Sequence, residues 1–149
     1  CKFFAISYII ANMIGEKFKT LLSKNNLRLT SERMRLFNEL KDSPAPLTIN
    51  NLVKRTSDTL DQSTVYRNLD LFEELGVTHR VYTGWKYKVE LSDSFKSHHH
   101  HMLCSNCGVV IEFHESKELI KDLDRISKKY SFNISNHSLE ITGTCSNCS

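Results

Sequence analysis

The chain has 149 residues, of which 40% are hydrophobic and 25% charged, with a net charge of +3. Its mean hydropathy is −0.36. That suits one domain or two small ones and excludes a disordered chain. Five Gly and two Pro exclude a collagen-like or linker-rich architecture. A charge of this size does not by itself indicate a nucleic-acid partner.

The chain opens on an apolar run, Lys2 to Ala11, far shorter than the ~20 residues a membrane-spanning helix needs. Met13 follows. Residues 1–12 are therefore expected to be an N-terminal extension or a helical arm, in a cytoplasmic protein with no membrane partner. Ile14, Phe18, Leu21 and Leu22 then lie at helical spacing, up to Asn25-Asn26. Thr30 or Ser31 can cap a second helix carrying Met34, Phe37 and Leu40, which ends at Pro44 and Pro46. Thr48 can cap a short third helix with Ile49, Leu52 and Val53. Ser63 can cap a fourth, with Val65, Leu69 and Phe72 on one face and Gly76 as its stop. Val77 to Val89, rich in Val, Thr and Tyr around Gly84, reads as a β-hairpin.

Short helices followed by a hairpin form the pattern of a winged helix-turn-helix over 13–92, whose fourth helix enters the DNA major groove. The non-core face of that helix offers Ser63, Thr64, Tyr66, Arg67 and Asn68 to bases or phosphates. Residues 13–97 hold 14 Lys+Arg against 11 Asp+Glu, and residues 98–149 hold 5 against 6. The positive charge thus lies on the half with the helix-turn-helix pattern. A plain helical bundle with a solvated polar face is the alternative.

From His98 the pattern becomes a small α+β unit. Met102 to Cys104 and Val109 to Phe113 read as strands. Ser116 can cap a helix striped by Leu119, Leu123, Ile126 and Tyr130, and Leu139 to Thr144 reads as a last strand. Cys104-x-x-Cys107 and Cys145-x-x-Cys148 stand 37 residues apart. Two such turns can close a tetrahedral zinc site, which outside an oxidising compartment is favoured over disulfides. Four thiolates leave no open position, so this zinc staples the fold and does no catalysis. In an extended His98-His99-His100-His101 run, alternate rings face opposite sides. His99 and His101 can join Glu90 and Glu112 in a mixed site for Fe, Mn, Zn or Ni, and His98 and His100 can join His137.

A winged helix with Ser63-Thr-Val-Tyr-Arg-Asn-Leu69, a histidine run, CxxCG, Ile111-Glu-Phe113, Asn136-His-Ser-Leu139 and a last CxxC resembles the ferric uptake regulator (Fur) family. The resemblance covers residues 14–149. It implies an α+β fold in which the winged helix precedes a small α/β dimerisation domain, 98–149, with a structural zinc. It further implies a homodimer that binds a palindromic double-stranded DNA operator and represses genes of metal homeostasis when a second divalent metal is bound. Cys104, Cys107, Cys145 and Cys148 match its structural zinc, and Glu90, His99, His101 and Glu112 its regulatory site at the interdomain hinge. His98, His100 and His137 fall near a further site, for which Glu118 is the nearest carboxylate expected.

Two departures stand out. Pro46 occupies the place where many members carry a histidine that links to the hinge metal, with His79 a candidate substitute, and His100 stands where an aspartate is common. A peroxide sensor of the same family, and a metal-binding protein that never reads DNA, are the alternatives. An enzyme is not expected, because no hydrolytic or phosphate-binding motif is present.

Overall fold

A computed structural model describes the backbone of residues 2–149 and the side chains of residues 12–149 except Thr83. Cys1 and the side chains of 2–11, to which the expectation of an N-terminal extension attaches, lie outside the described residues. The chain divides into two compact units, Cys1–Ser97 and His98–Ser149.

The first unit contains α1 (Lys2–Lys24), α2 (Ser31–Lys41), α3 (Ile49–Thr56), α4 (Gln62–Glu74), β1 (Thr78–Thr83) and β2 (Lys86–Leu91). The apolar run at the start is continuous with the first helix. No helix among the described residues is long and apolar enough to cross a membrane. Thr30 caps α2 by accepting from the Arg33 amide, and Thr48 caps α3 by accepting from the Asn51 amide.

The cap of α4 differs from the sequence expectation: it is Asp61, not Ser63. The Asp61 carboxylate accepts from the Thr64 amide at 2.8 Å and from the Ser63 hydroxyl at 2.6 Å. A carboxylate accepts several donors at once and is favoured at the positive end of the helix dipole, so it outcompetes a hydroxyl two residues on. The Ser63 hydroxyl, followed by the Thr64 amide, holds the Asp61 pKa down at about 2.

Helices α1, α2 and α4 meet through aromatic rings. Phe18 stacks on Phe37 at 4.1 Å between centroids, and Phe72 meets Phe18 edge-on at 5.2 Å. Phe95, beyond the hairpin, closes the cluster against Phe37 at 5.6 Å. Each ring fully buried contributes about 1.5–3 kcal/mol. The chain leaves α4 through Gly76, whose φ of +66° is the left-handed conformation that glycine adopts without strain. It then enters an antiparallel hairpin in which His79 stands opposite Glu90 and Tyr82 opposite Tyr87. Leu47 bonds to Val89 through both backbone groups, at 2.9 and 2.7 Å, which docks the segment before α3 onto the edge of β2.

The second unit contains β3 (His100–Cys104), β4 (Val110–Phe113), α5 (Lys117–Tyr130) and β5 (Glu140–Gly143). Its sheet runs β4-β3-β5, with β4 antiparallel and β5 parallel to the central strand. Ser116 caps α5. No residue of α5 is buried, and its stripe stays in solvent, with Ile126 at 52% and Tyr130 at 67% exposure. Met102 pairs in register with Ile111 and with Ile141, and all three are exposed.

Candidate metal centres and nucleic-acid interface

Strand β3 ends at Cys104, and a turn through Gly108 (φ +69°) brings Cys107 back beside it. The chain leaving β5 reaches the same point, where Cys145 and Cys148 form a second turn. The four sulfurs lie within 4.8 Å of one another. Cys107 Sγ and Cys145 Sγ are 3.7 Å apart, and all four cysteines are free thiols. A tetrahedron with Zn–S of ~2.3 Å has edges of about 3.8 Å, so this spacing fits a zinc ion and not a disulfide. The backbone amides of Cys107 and Cys145 lower the Cys104 pKa to about 6. Cys148 is pushed the other way, to about 12, by the thiols of Cys107, Cys145 and Cys104 gathered round it. Four crowded sulfurs cannot all ionise without a cation among them.

The histidine run feeds β3, and strand alternation sends its rings to opposite sides. On one side the His99 and His101 rings meet at 4.9 Å between centroids. Glu112 stands directly opposite His101 across the β3–β4 ladder, and its Oε1 is 4.0 Å from His99 Nε2. The ligand atoms of His99, His101 and Glu112 lie within 4.8 Å of one another, and His101 Nε2 is shielded from solvent. Two imidazoles and a carboxylate in this arrangement suit a borderline divalent cation.

On the other side His98, His100 and His137 converge on Glu115. Glu115 Oε2 is 2.8 Å from His100 Nε2, 2.8 Å from His137 Nε2 and 3.6 Å from His98 Nε2. This corrects the carboxylate read from the sequence. Glu118, the expected candidate, lies in the first turn of α5 with its side chain in solvent. Glu115 precedes the Ser116 cap, where the extended backbone turns it toward the sheet instead of along the helix. The hydrogen bonds from His100 first and His137 second lower the Glu115 pKa. His114, also not singled out in the sequence, donates from Nδ1 to the His98 carbonyl oxygen at 3.0 Å, which fixes its tautomer.

Glu90 belongs to the first unit. Its carboxylate meets His79 Nε2 at 2.9 Å and Lys96 Nζ at 3.2 Å. The bond to Glu90 is the main cause that raises the His79 pKa. The Leu47–Val89 bridge sets Pro46 at the register of Glu90, so the carboxylate has Pro46 on one flank and His79 on the other.

Helix α4 presents Ser63, Tyr66 and Arg67 to solvent, with Tyr66 at 39% exposure. Thr64 and Asn68 are only half-exposed and partly committed. Thr64 Oγ1 bonds to Asp61 Oδ2 at 2.9 Å. Asn68 donates to the Thr64 carbonyl at 2.8 Å and accepts from Arg33 Nε at 3.3 Å, which braces α2 against α4. Arg35 and Arg55 both pair with Glu39, and Arg80 pairs with Glu73 at 2.6 Å.

Comparison with known proteins agrees with these groupings. The sequence model of the ferric uptake regulator family matches residues 24–142. The ferric uptake regulation protein of Campylobacter jejuni is 33% identical over 143 residues, covering 92% of this chain and 89% of the relative. Among solved structures, the Helicobacter pylori ferric uptake regulator, described as having three functional metal-binding sites, matches with a TM-score of 0.78 at 24% identity over 92% of both chains. The Vibrio cholerae ferric uptake regulator matches at 0.69 and 31% identity, covering 83% of this chain and 96% of that one. This chain belongs to the ferric uptake regulator family.

Proposed function

We propose that this protein is a metal-responsive, DNA-binding repressor of metal-homeostasis genes that works as a homodimer. Residues 13–92 read DNA and residues 98–149 hold metal and dimerise. The observation that carries this reading is the sorting of ten residues of one small unit into three separate ligand groups. Cys104, Cys107, Cys145 and Cys148 hold a structural zinc. His99, His101 and Glu112 hold the regulatory ion, with Glu90 of the first unit as the partner ligand. His98, His100, His137 and Glu115 form a further site.

A divalent cation at the regulatory site supplies a bridge between ligands that separate segments carry. His99 and His101 contribute from the start of β3, Glu112 from β4 and Glu90 from the hairpin. Binding the two units through these residues restricts how the α4 helices of a dimer are spaced. The ion shifts that equilibrium only by its differential affinity for the competent arrangement. Ser63, Tyr66 and Arg67 then meet base edges and phosphates. The exposed apolar row Ile111-Met102-Ile141 and the unburied α5 stripe support a second copy as the cover for the 98–149 unit.

A gel shift with apo protein and with Fe(II), Mn(II), Zn(II) or Ni(II) tests the reading. DNA retardation is expected only with metal, and to weaken steeply with salt. Equal binding by apo and loaded protein would count against it. Tyr66→Ala with Arg67→Ala is expected to weaken DNA binding by about tenfold or more while metal uptake stays intact.

The further site has its own test. Glu115→Gln is expected to lower Zn(II) affinity there at least as much as the ~10–100-fold that loss of a supporting partner causes. Glu118→Gln is expected to leave it unchanged. Calorimetric titration distinguishes them, and the opposite ranking would return the role to Glu118.

A further inference from the structure

Trp85 is the only tryptophan of the chain, and it sits at the tip of the β1–β2 hairpin with its side chain fully in solvent. A lone exposed apolar residue is ordinary. This one coincides with two other features. Residues 80–88 carry Arg80, Lys86 and Lys88 and no carboxylate, so the outer hairpin is cationic. The hairpin also runs back along α4. Arg80 is held by Glu73 at 2.6 Å and Asp70 at 3.8 Å, and Tyr66 of α4 and Tyr87 of β2 line one crevice with them. From its root near the end of α4 the hairpin therefore passes Tyr66, and its tip lies further toward the reading end of that helix. Strands of six residues span about 20 Å, more than the ~12 Å width of the DNA major groove.

We infer that the hairpin tip is a second DNA contact, in which the Trp85 ring packs on the sugar–phosphate wall flanking the groove that α4 reads and Lys86 pairs with a phosphate. The Gly84-Trp85 turn, with Gly84 at φ +66°, presents the indole on a rigid two-residue bend. Little side-chain entropy is lost on docking, because an indole has two rotatable bonds. Charge complementarity selects DNA over an apolar partner, because cations line the strand that carries the ring. The inference rests on the assignment of α4 as the DNA-reading helix.

The test uses the full chain loaded with Mn(II) and a duplex that it recovers from a randomised pool. Because Trp85 is the sole tryptophan, its emission reports on the tip alone. Saturating duplex is expected to shift or quench that emission. Trp85→Ala is expected to bind about fivefold or more weakly, and Trp85→Phe, which keeps a ring, close to the unaltered protein. Lys86→Ala is expected to reduce the salt dependence by about one counterion. Unchanged melting of Trp85→Ala, as its exposure predicts, separates contact from folding, and Trp85→Phe serves if it melts early. A retarded duplex with unchanged emission, or with full affinity in Trp85→Ala, overturns this inference and leaves α4 as the reader. Failure to recover any duplex overturns both.

Discussion

Cys104→Ser is expected to unfold the 98–149 unit while the first unit still melts cooperatively. The reason lies in how little apolar mass the second unit buries. Leu103 and Val110 are its only buried hydrophobic residues besides Cys104, among those described. Each contributes about 1.5–3 kcal/mol, small beside the ~10–16 kcal/mol that a structural zinc supplies to a small domain at neutral pH. The first unit instead has Phe18, Phe37, Phe72 and a continuous aliphatic shell. Cys104 is also the sulfur that accepts from the Cys145 amide, at 3.4 Å, so its loss removes a ligand and a link between the two turns.

Elemental analysis of protein purified without added metal should find one zinc per chain in the parent and none in the variant. Limited proteolysis should cut the variant only beyond residue 97. A chelator should reproduce the effect. Because the thiolates are the ligands, zinc should be lost progressively as pH falls and the sulfurs are protonated. A Cys104→Ser protein that stays folded, dimeric and protease-resistant beyond residue 97 would show that the zinc is not the staple.

His101→Ala is expected to abolish the metal dependence of DNA binding while the zinc content and the weak affinity of apo protein remain. The ring is buried, faces Glu112 across the ladder and packs edge-on against His99, so no neighbouring side chain can replace its nitrogen. Coupling between an effector site and a binding site typically amounts to about 1–3 kcal/mol, or 5–150-fold in affinity. Titrations of DNA binding against Mn(II) should therefore lose a step of that size. Met102→Ala, one residue on and on the opposite face of β3, should keep it. A His101→Ala protein with an undiminished metal response would remove this group from the regulatory role.

Much of this organisation follows from periodicities of two and 3.6 residues and from motif spacing, which are local properties. Thr48 and Ser116 are caps because a short side-chain oxygen precedes a helical stripe. Gly76 and Gly84 stand where the backbone needs a positive φ. The histidines separate two by two because a strand alternates, and four cysteines in two CxxC turns point to one ion whatever lies between them.

Other features depend on where chain segments of distant sequence meet. Asp61 displaced Ser63 as a cap through competition among neighbouring acceptors. Phe95 lies in no periodic element, yet it joins the aromatic core because the chain after β2 folds back over α2. Asn68 carries the same polar chemistry as Arg67, but Arg33 of another helix draws it inward.

Glu115 and Glu118 show the division most directly. Both are glutamates near the start of α5, and spacing favoured neither. One precedes the cap on an extended segment and points at three histidines; the other follows it on a helix and points at water. The sequence alone determined which residue types form which ligand sets, because donor chemistry and alternation are written locally. Only the tertiary structure decided which carboxylate completes the third set, because a loop's path is set by packing against the sheet and not by any repeat in the chain.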